Sequence, residues 1–385
     1  MRIAFLGSRG IPARYSGFET FYEQLAVRLA ARGHEVTVYN RSHFIRDVRR
    51  EYQGVHIVTL PSIPTKHLDT ITHALLGSLH ALFQHYDIAY YVIVGNSPLV
   101  WIPRMTRAKT LLNVDGQDWA REKWSGFARW YQRQCERIAP RTANAVIADS
   151  RVIQERYLDV YRAPTVFVPY GANVQRDART QALEKWGLTP GEYILHAGRL
   201  VPENAADLLV AAFRTLPTHK KLVIVGDAPY AADYQRALRA AADGRVVFTG
   251  YAFGDDYAQL SAHAYLFVLP SAVDGTRPVL LDQLGFGNCV LVRNTPANME
   301  AIGECGCWFD RASPLESLKE RLGELLSRPD VVAKYRAKAP GRITGYYNWE
   351  WIADFYEDLF RRLTKGDPLV SYDRFLGARG GGAGP

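Results

Sequence analysis

Short runs of four to eight apolar residues alternate with longer stretches in which apolar positions recur every three or four residues, and the alternation continues along most of the chain. Continuous apolar runs of that length predict strands buried on both faces, and the 3.6-residue recurrence predicts the helices that cover them. RIAFL, a loop, the helical stretch ETFYEQLAVRLAARG and EVTVYN predict a first β-α-β unit, its helix starting near Phe18 and ending at Gly33. VHIVTL, DIAYYVIV, KTLLNV and NAVIADS continue the series. After VFVPYGA a second series begins, with YILHAG, KLVIVGD, RVVFTG, AYLFVLPS and CVLVRN as strands and AADLLVAAFRTL among the helices. The expected class is α/β, with two Rossmann-like, doubly wound parallel-sheet domains facing each other across a cleft. Expected boundaries are 1–172 and 173–345, with an amphipathic terminal helix over 346–364 returning to the first domain and a partly disordered tail over 365–385.

Composition agrees with two cores: 385 residues, 48% of them apolar, exceed what one domain usually holds. Cys135, Cys289, Cys305 and Cys307 form no CxxC pair and lie near no His cluster at metal spacing, so they are expected to be reduced thiols in a cytoplasmic protein that holds no metal. MRIAFLG is too short for a leader, and nowhere do eighteen apolar residues run together.

Charge changes the picture more. Residues 1–175 carry 22 Lys and Arg against 14 Asp and Glu, whereas 176–385 carry 25 of each, so the whole net charge of +8 belongs to the first half. Trp101, Trp119, Trp124 and Trp130 accompany those cations. Aromatic and cationic side chains together suit an anionic membrane surface, and the expected location is cytoplasmic and peripheral on that membrane face. A solvated surface and a Trp core are the plain alternatives. No nucleic-acid reader motif is present.

Candidate chemistry sits at strand ends. GRLVPEN (198–204) follows the strand YILHA and is expected to open a helix, placing Arg199 where a phosphate would meet backbone N–H groups and a positive helix end. DGTRPVLLD (274–282) follows AYLFVLPS and sets Asp274 and Asp282 eight residues apart across a helix start. Singly, the first is compatible with an ordinary turn and the second with a helix cap. Their order within one α/β half brings both to the carboxyl ends of a parallel sheet, where an arginine suits a diphosphate and carboxylates suit sugar hydroxyls. The first loop, GSRGIPARYSGFE (7–19), lacks Gly-x-Gly-x-x-Gly and so removes the main support for hydride chemistry. Gly17 there would let backbone approach an anion, with Arg9 and Arg14 nearby.

YSGFETFYEQLAVRLAARGHEVTVYNR, PTKHLDTITHALLGSLHAL, NVDGQDWAREKWS, VPYGA, GRLVPEN and the acid pair carry a resemblance, over about 1–362, to the retaining glycosyltransferases of family 4 with the GT-B fold. The branch most similar has an amino-terminal domain found in rhamnosyltransferases of bacterial surface polysaccharide assembly. The resemblance implies a nucleoside-diphosphate sugar as donor substrate with no cofactor, and a glycan acceptor, polyprenyl-diphosphate-linked in one version. It places the family's twin glycine on Ser16 and Gly17, its diphosphate-binding Arg on Arg199, its Lys on Asn204 and its Glu pair on Asp274 and Asp282. Asp274 would face the donor sugar, Asp282 the ribose, and backbone N–H groups of Gly275 and Thr276 the sugar or phosphate. Arg277 is a further cation for the diphosphate, Gly250 and Tyr251 are assigned to nucleotide binding, and Asp115 stands where the family has a His. Ser16, Asn204, Asp274 and Asp282 depart from the family's pattern, as does Asp115. Two rival readings therefore stand beside transfer: a GT-B nucleotide-sugar epimerase, and a catalytically weak binding or scaffold protein.

Overall fold

A computed structural model describes residues 1–13, 17–45, 49–65, 68–114, 126–273 and 275–379. Two compact units emerge, one of Met1–Tyr170 joined by the chain from Trp349, the other of Gly171–Asn348.

Among the described residues of the first unit, eight strands form one sheet: β1 (Arg2–Leu6), β2 (Glu35–Arg41), β3 (Glu51–Tyr52), β4 (Val55–Leu60), β5 (Ile88–Val92), β6 (Lys109–Val114), β7 (Ala145–Ala148) and β8 (Val166–Phe167). Their order is β3-β4-β2-β1-β5-β6-β7-β8, parallel except for β3. Every residue of β5 is buried, as its unbroken apolar run requires of a strand covered on both faces. One face packs against α2 (Asp69–Ala81), α3 (Gly126–Thr142) and α4 (Arg151–Tyr161), in a core that includes Leu6, Tyr91, Leu112, Cys135 and Ile153. On the other face lies α1 (Gly17–Ala31), whose helix begins at Gly17 as expected and gives way at Gly33.

In the second unit, β9 (Tyr193–Ala197), β10 (Lys221–Val225), β11 (Val246–Gly250), β12 (Leu266–Leu269), β13 (Val290–Arg293) and β14 (Cys307–Phe309) form an all-parallel sheet in the order β11-β10-β9-β12-β13-β14. The helices are α5 (Gln181–Glu184), α6 (Ala206–Arg214), α7 (Ala232–Ala241), α8 (Gly254–Ala262), α9 (Pro278–Gly285), α10 (Pro296–Ile302), α11 (Pro314–Ser327) and α12 (Pro329–Gly345). Chain direction across the sheet reverses between β9 and β12. An open parallel sheet leaves a crevice at such a reversal, because the loops leaving the two strands turn to opposite sides.

The chain then returns to the first unit as α13 (Trp349–Lys365) and α14 (Tyr372–Gly377). Helix α13 lays Trp349 and Tyr356 against Phe21 of α1, with ring centroids 6.0 and 5.7 Å apart. Glu350 binds Arg28 and Arg32 at 2.7 and 2.9 Å. The tail expected from 365 onward is ordered further than its polar sequence suggests. Ser371 caps α14 through the Arg374 N–H, and Tyr372 packs on Phe355 with centroids 5.4 Å apart. Three strands, β3, β8 and β14, went unread because two or three edge residues show no periodicity.

Candidate active site

The donor side is assembled where β9, β10, β11 and β12 end. Beyond their ladders, the Gly198 N–H donates to the Val225 carbonyl at 3.0 Å and the Gly226 N–H to the Gly250 carbonyl at 2.8 Å, so three loops are tied side by side. Gly226 has φ +132°, and a Cβ there would lie 1.9 Å from the Gly198 oxygen; no other residue type fits. Beneath Gly198 lies fully buried His196, whose Nδ1 is 3.0 Å from the Val268 carbonyl and whose Nε2 has no partner. Burial holds its pKa below the ordinary value, keeping the ring neutral.

Arg199 follows directly, half-buried, and among the described residues no carboxylate pairs with its guanidinium. It does not sit at a helix end: GRLVPEN forms a loop and a single 3-10 turn, Pro202–Asn204, and α6 starts only at Ala206. The reason is local, since Pro202 removes one donor and Ala205 takes a left-handed conformation at φ +53°. Asn204, assigned to donor binding, is engaged within its own loop. Its side-chain amide donates to the Arg199 carbonyl at 2.8 Å, and its Oδ1 is buried without a partner. Asn204 thus pins the backbone that carries Arg199.

The loop after β12 meets this one through Ser271, which is 1% exposed. Its hydroxyl donates to the Glu203 carbonyl at 3.2 Å and accepts from Arg277 Nη2 at 2.9 Å and from the Val273 N–H at 3.3 Å. One O–H donor and two lone pairs are all engaged. Arg277 is thereby held beside the loop of Arg199, Thr276 is buried, and Gly275 adopts φ +118°. Asp274 lies outside the described residues.

Asp282 stands on α9, one turn past Arg277. Burial pushes its carboxyl up to about 7, and no hydrogen-bond donor reaches the carboxylate among the described residues. Its neighbour Gln283 instead serves the scaffold, donating to Tyr257 at 3.1 Å and to Ser261 at 2.8 Å. Past Gly250, the rings of Tyr251 and Phe253 stack at 5.7 Å with 18° between planes, both exposed.

In the first unit the loop after β1 is fixed by Asn40. Its amide accepts from the Ile11 N–H at 3.0 Å and donates to the Ile11 carbonyl at 2.7 Å, and Gly10, at φ +112°, leaves room for that clasp. Arg41, 2% exposed, adds a bond to the Gly7 carbonyl at 3.1 Å while paired to Asp69 at 2.7 Å. Gly17 is the first residue of α1, and Arg9 lies with its guanidinium 4.2 Å from the Phe44 ring centroid. Arg14, Ser16 and Asp115 lie outside the described residues.

Residues 191–328 match the family model described as glycosyl transferases group 1, and residues 1–173 match a domain of unknown function, DUF1972. A GDP-mannose-dependent alpha-(1-6)-phosphatidylinositol monomannoside mannosyltransferase of Mycolicibacterium smegmatis is 24% identical over 376 residues, covering 90% of this chain and 94% of its own length. Among solved structures, sucrose-phosphate synthase from Thermosynechococcus elongatus superposes at a TM-score of 0.82 with 20% identity, covering 95% of this chain and 100% of that one. Anabaena HepE in complex with UDP and glucose superposes at 0.78 with 18% identity, covering 94% and 99%. The chain is a GT-B glycosyltransferase.

In this glycosyltransferase the second unit gathers Arg199, Asn204, Gly250, Tyr251, Gly275, Thr276, Arg277 and Asp282 on adjoining loops of one sheet and on α9. Sequence reasoning missed Ser271, Asn40 and Gly226. Ser271 was visible as the polar residue that ends AYLFVLPS, and Gly226 as a glycine directly after a strand, but their partners are 68 and 28 residues away. Replacing Gly226 with alanine is expected to cost about 1–3 kcal/mol in backbone strain alone and to displace the loop of Arg199. A thermal melt together with a nucleoside diphosphate titration checks this, and a variant that melts and binds normally refutes the tie between the two loops.

Proposed function

We propose that this glycosyltransferase moves a sugar, with retention, from a nucleoside diphosphate to an acceptor hydroxyl in bacterial cell-surface polysaccharide synthesis, working in the cytoplasm. The observation that carries it is a half-buried arginine without a carboxylate partner and a half-buried carboxyl without a protein donor, both on the carboxyl side of one sheet, among the described residues. The first is what a diphosphate needs, the second what a pair of ribose hydroxyls needs. Tyr251 and Phe253 offer a flat apolar face to a nucleobase.

The acceptor oxygen bonds to the anomeric carbon as that carbon's bond to the diphosphate breaks, on the same face of the sugar. The acceptor's proton passes to the leaving phosphate oxygen, giving a glycoside and a nucleoside diphosphate. Nothing beyond the nucleotide sugar enters as a cofactor. Arg199, aided by Arg277, stabilises charge growing on the leaving group, which is electrostatic catalysis by groups already in place. Asp274 is proposed to face the donor sugar and Asp115 to contact it from the first unit. Ser16 and Gly17 would bring backbone close to the donor phosphates, and Asn204 acts through the Arg199 backbone.

The name of the Mycolicibacterium relative specifies GDP-mannose and a phosphatidylinositol-linked mannoside, and HepE was solved with UDP and glucose. Both support a nucleotide-sugar donor, and the first supports a lipid-linked glycan acceptor. Rhamnosyl transfer is the version that the amino-terminal strings favour. A panel of nucleotide sugars incubated with bacterial membrane extract tests the reading. Acceptor-dependent release of nucleoside diphosphate with an anomerically retained product supports it. Release without any acceptor product points to an epimerase, and failure to bind any nucleoside diphosphate in calorimetry points to a scaffold.

A further inference from the structure

Helix α2 is inside out for a surface helix. A helix on a water-exposed face turns its apolar stripe to the sheet and its polar residues to solvent. Here the residues facing the sheet are His73, Ala74, Gly77, Ser78 and Ala81. Gly77 packs so closely that a Cβ would lie 3.1 Å from Leu6, and the Ser78 hydroxyl lies 2.7 Å from that of Tyr91. Outward go Leu75 and Leu79, about 40% exposed, and just beyond the helix Phe83 at 78%.

Next to α2 lies a 3-10 turn, Ile102–Met105, which packs against it and exposes 69% of Met105 and 48% of Trp101 at its start. Arg104 from that turn donates to the Arg141 and Thr142 carbonyls at 3.3 and 3.1 Å, joining it to the end of α3. Helix α3 buries Gln132, Cys135, Glu136 and Ala139. Its opposite side carries exposed Arg129, Arg133, Arg137 and Arg141, one every fourth residue, and the stacked pair Phe127 and Trp130, 76% and 56% exposed. These elements cover the same face of the sheet, so their outer sides form one layer of apolar side chains beside a row of guanidinium groups.

We propose that the outer side of α2, the 102–105 turn and α3 is a docking surface for an anionic lipid bilayer. Leucines, methionine and aromatics left exposed among the described residues need an apolar phase, and the arginine row beside them selects one with negative headgroups. A protein partner of matching apolar shape would not require four aligned cations, and a nucleic acid would not require the leucine face. The proposal deepens the lipid-linked acceptor of the reading above, yet it rests on the first unit only, so the donor chemistry can fail without it.

Sedimentation of the full chain with phosphatidylcholine vesicles, with and without phosphatidylglycerol, tests it. Binding is expected only with the anionic lipid, falling as salt screens the headgroups. Arg137→Gln with Arg141→Gln removes two cations worth about 1 kcal/mol each, so binding weakens about thirtyfold. Leu79→Ser with Phe83→Ser is expected to abolish binding that survives high salt. Thermal melts and nucleoside diphosphate titration of each variant separate lost docking from lost folding or lost donor binding. Equal binding to neutral vesicles, or variants that bind as the parent does, overturns the proposal. So does a concentration-dependent dimer that Leu79→Ser dissolves, which assigns the face to a second copy, and so does salt-sensitive capture of RNA without vesicle binding.

Discussion

Arg199→Ala lowers kcat/KM about ten- to a hundredfold while leaving the melting temperature nearly unchanged. A charge-assisted hydrogen bond to a charged partner contributes about 1.5–3 kcal/mol, and each 1.36 kcal/mol is a factor of ten in rate. Two features of the loop make the lower figure a floor. Asn204 is a neutral amide folded back on the Arg199 carbonyl, so that position supplies no second cation, and Arg277 already donates to Ser271. Arg199 meanwhile has no carboxylate to lose among the described residues, so its removal leaves no buried charge behind. Steady-state kinetics with the best donor from the panel decide the matter. An unchanged kcat/KM removes Arg199 from the site, and an equal loss in Arg277→Ala shows that the two act as one.

Asp282 is expected to link nucleotide binding to proton release. Its carboxyl titrates near about 7 in the free protein because burial disfavours the anion. Two ribose hydroxyls donating to it favour the anion instead and lower the pKa, so a proton leaves on binding and nucleoside diphosphates bind more tightly at pH 8 than at pH 6. Titrations in two buffers of different ionisation enthalpy read that proton directly. Asp282→Ala weakens binding about tenfold or more, since bonds to a charged group are lost. For stability the sign is opposite. The folded pKa exceeds the unfolded value of about 3.9, so the protonated form favours the fold, and this contribution is lost as pH rises from about 4 through about 7. Asp282→Asn should therefore raise the melting temperature at pH 8 and leave it unchanged at pH 4. His73 works the other way: burial lowers its pKa to about 4, so its contribution is lost as pH falls from about 6.5 toward 4. Comparison between pH 6.5 and 8 isolates Asp282. No proton release, with a variant that melts early yet binds normally, makes Asp282 a structural residue.

Strands and most helices were legible because their signals are local. The run IAYYV asks for burial on both faces, and a parallel sheet with helices on either side provides it. The same holds for α13, whose aromatics recur at helical spacing. The arginine of the donor loop and the acid on α9 were legible as residue types at strand ends, and the likeness to family 4 glycosyltransferases was carried by contiguous strings.

Tertiary contacts decided the rest. LLGSLHALF reads as an amphipathic helix in either orientation, and hydrophobicity alone would turn its leucines inward. Gly77 against Leu6 and Ser78 against Tyr91 turn it round, since close approach to the sheet and a buried hydroxyl partner exist only once β1 and β5 are in place. Asn40 and Ser271 became site-building residues for the same reason, each satisfying backbone groups of a loop far away in sequence. The sequence by itself determined the elements, the two-sheet class and the residue types available to bind a nucleotide sugar, because those depend on periodicity and chain order. Only the tertiary structure decided which face of α2 meets water, where Asn204 points and that the Asp282 carboxyl lacks a donor among the described residues, because burial and hydrogen-bond satisfaction are properties of neighbours that the chain brings together from a distance.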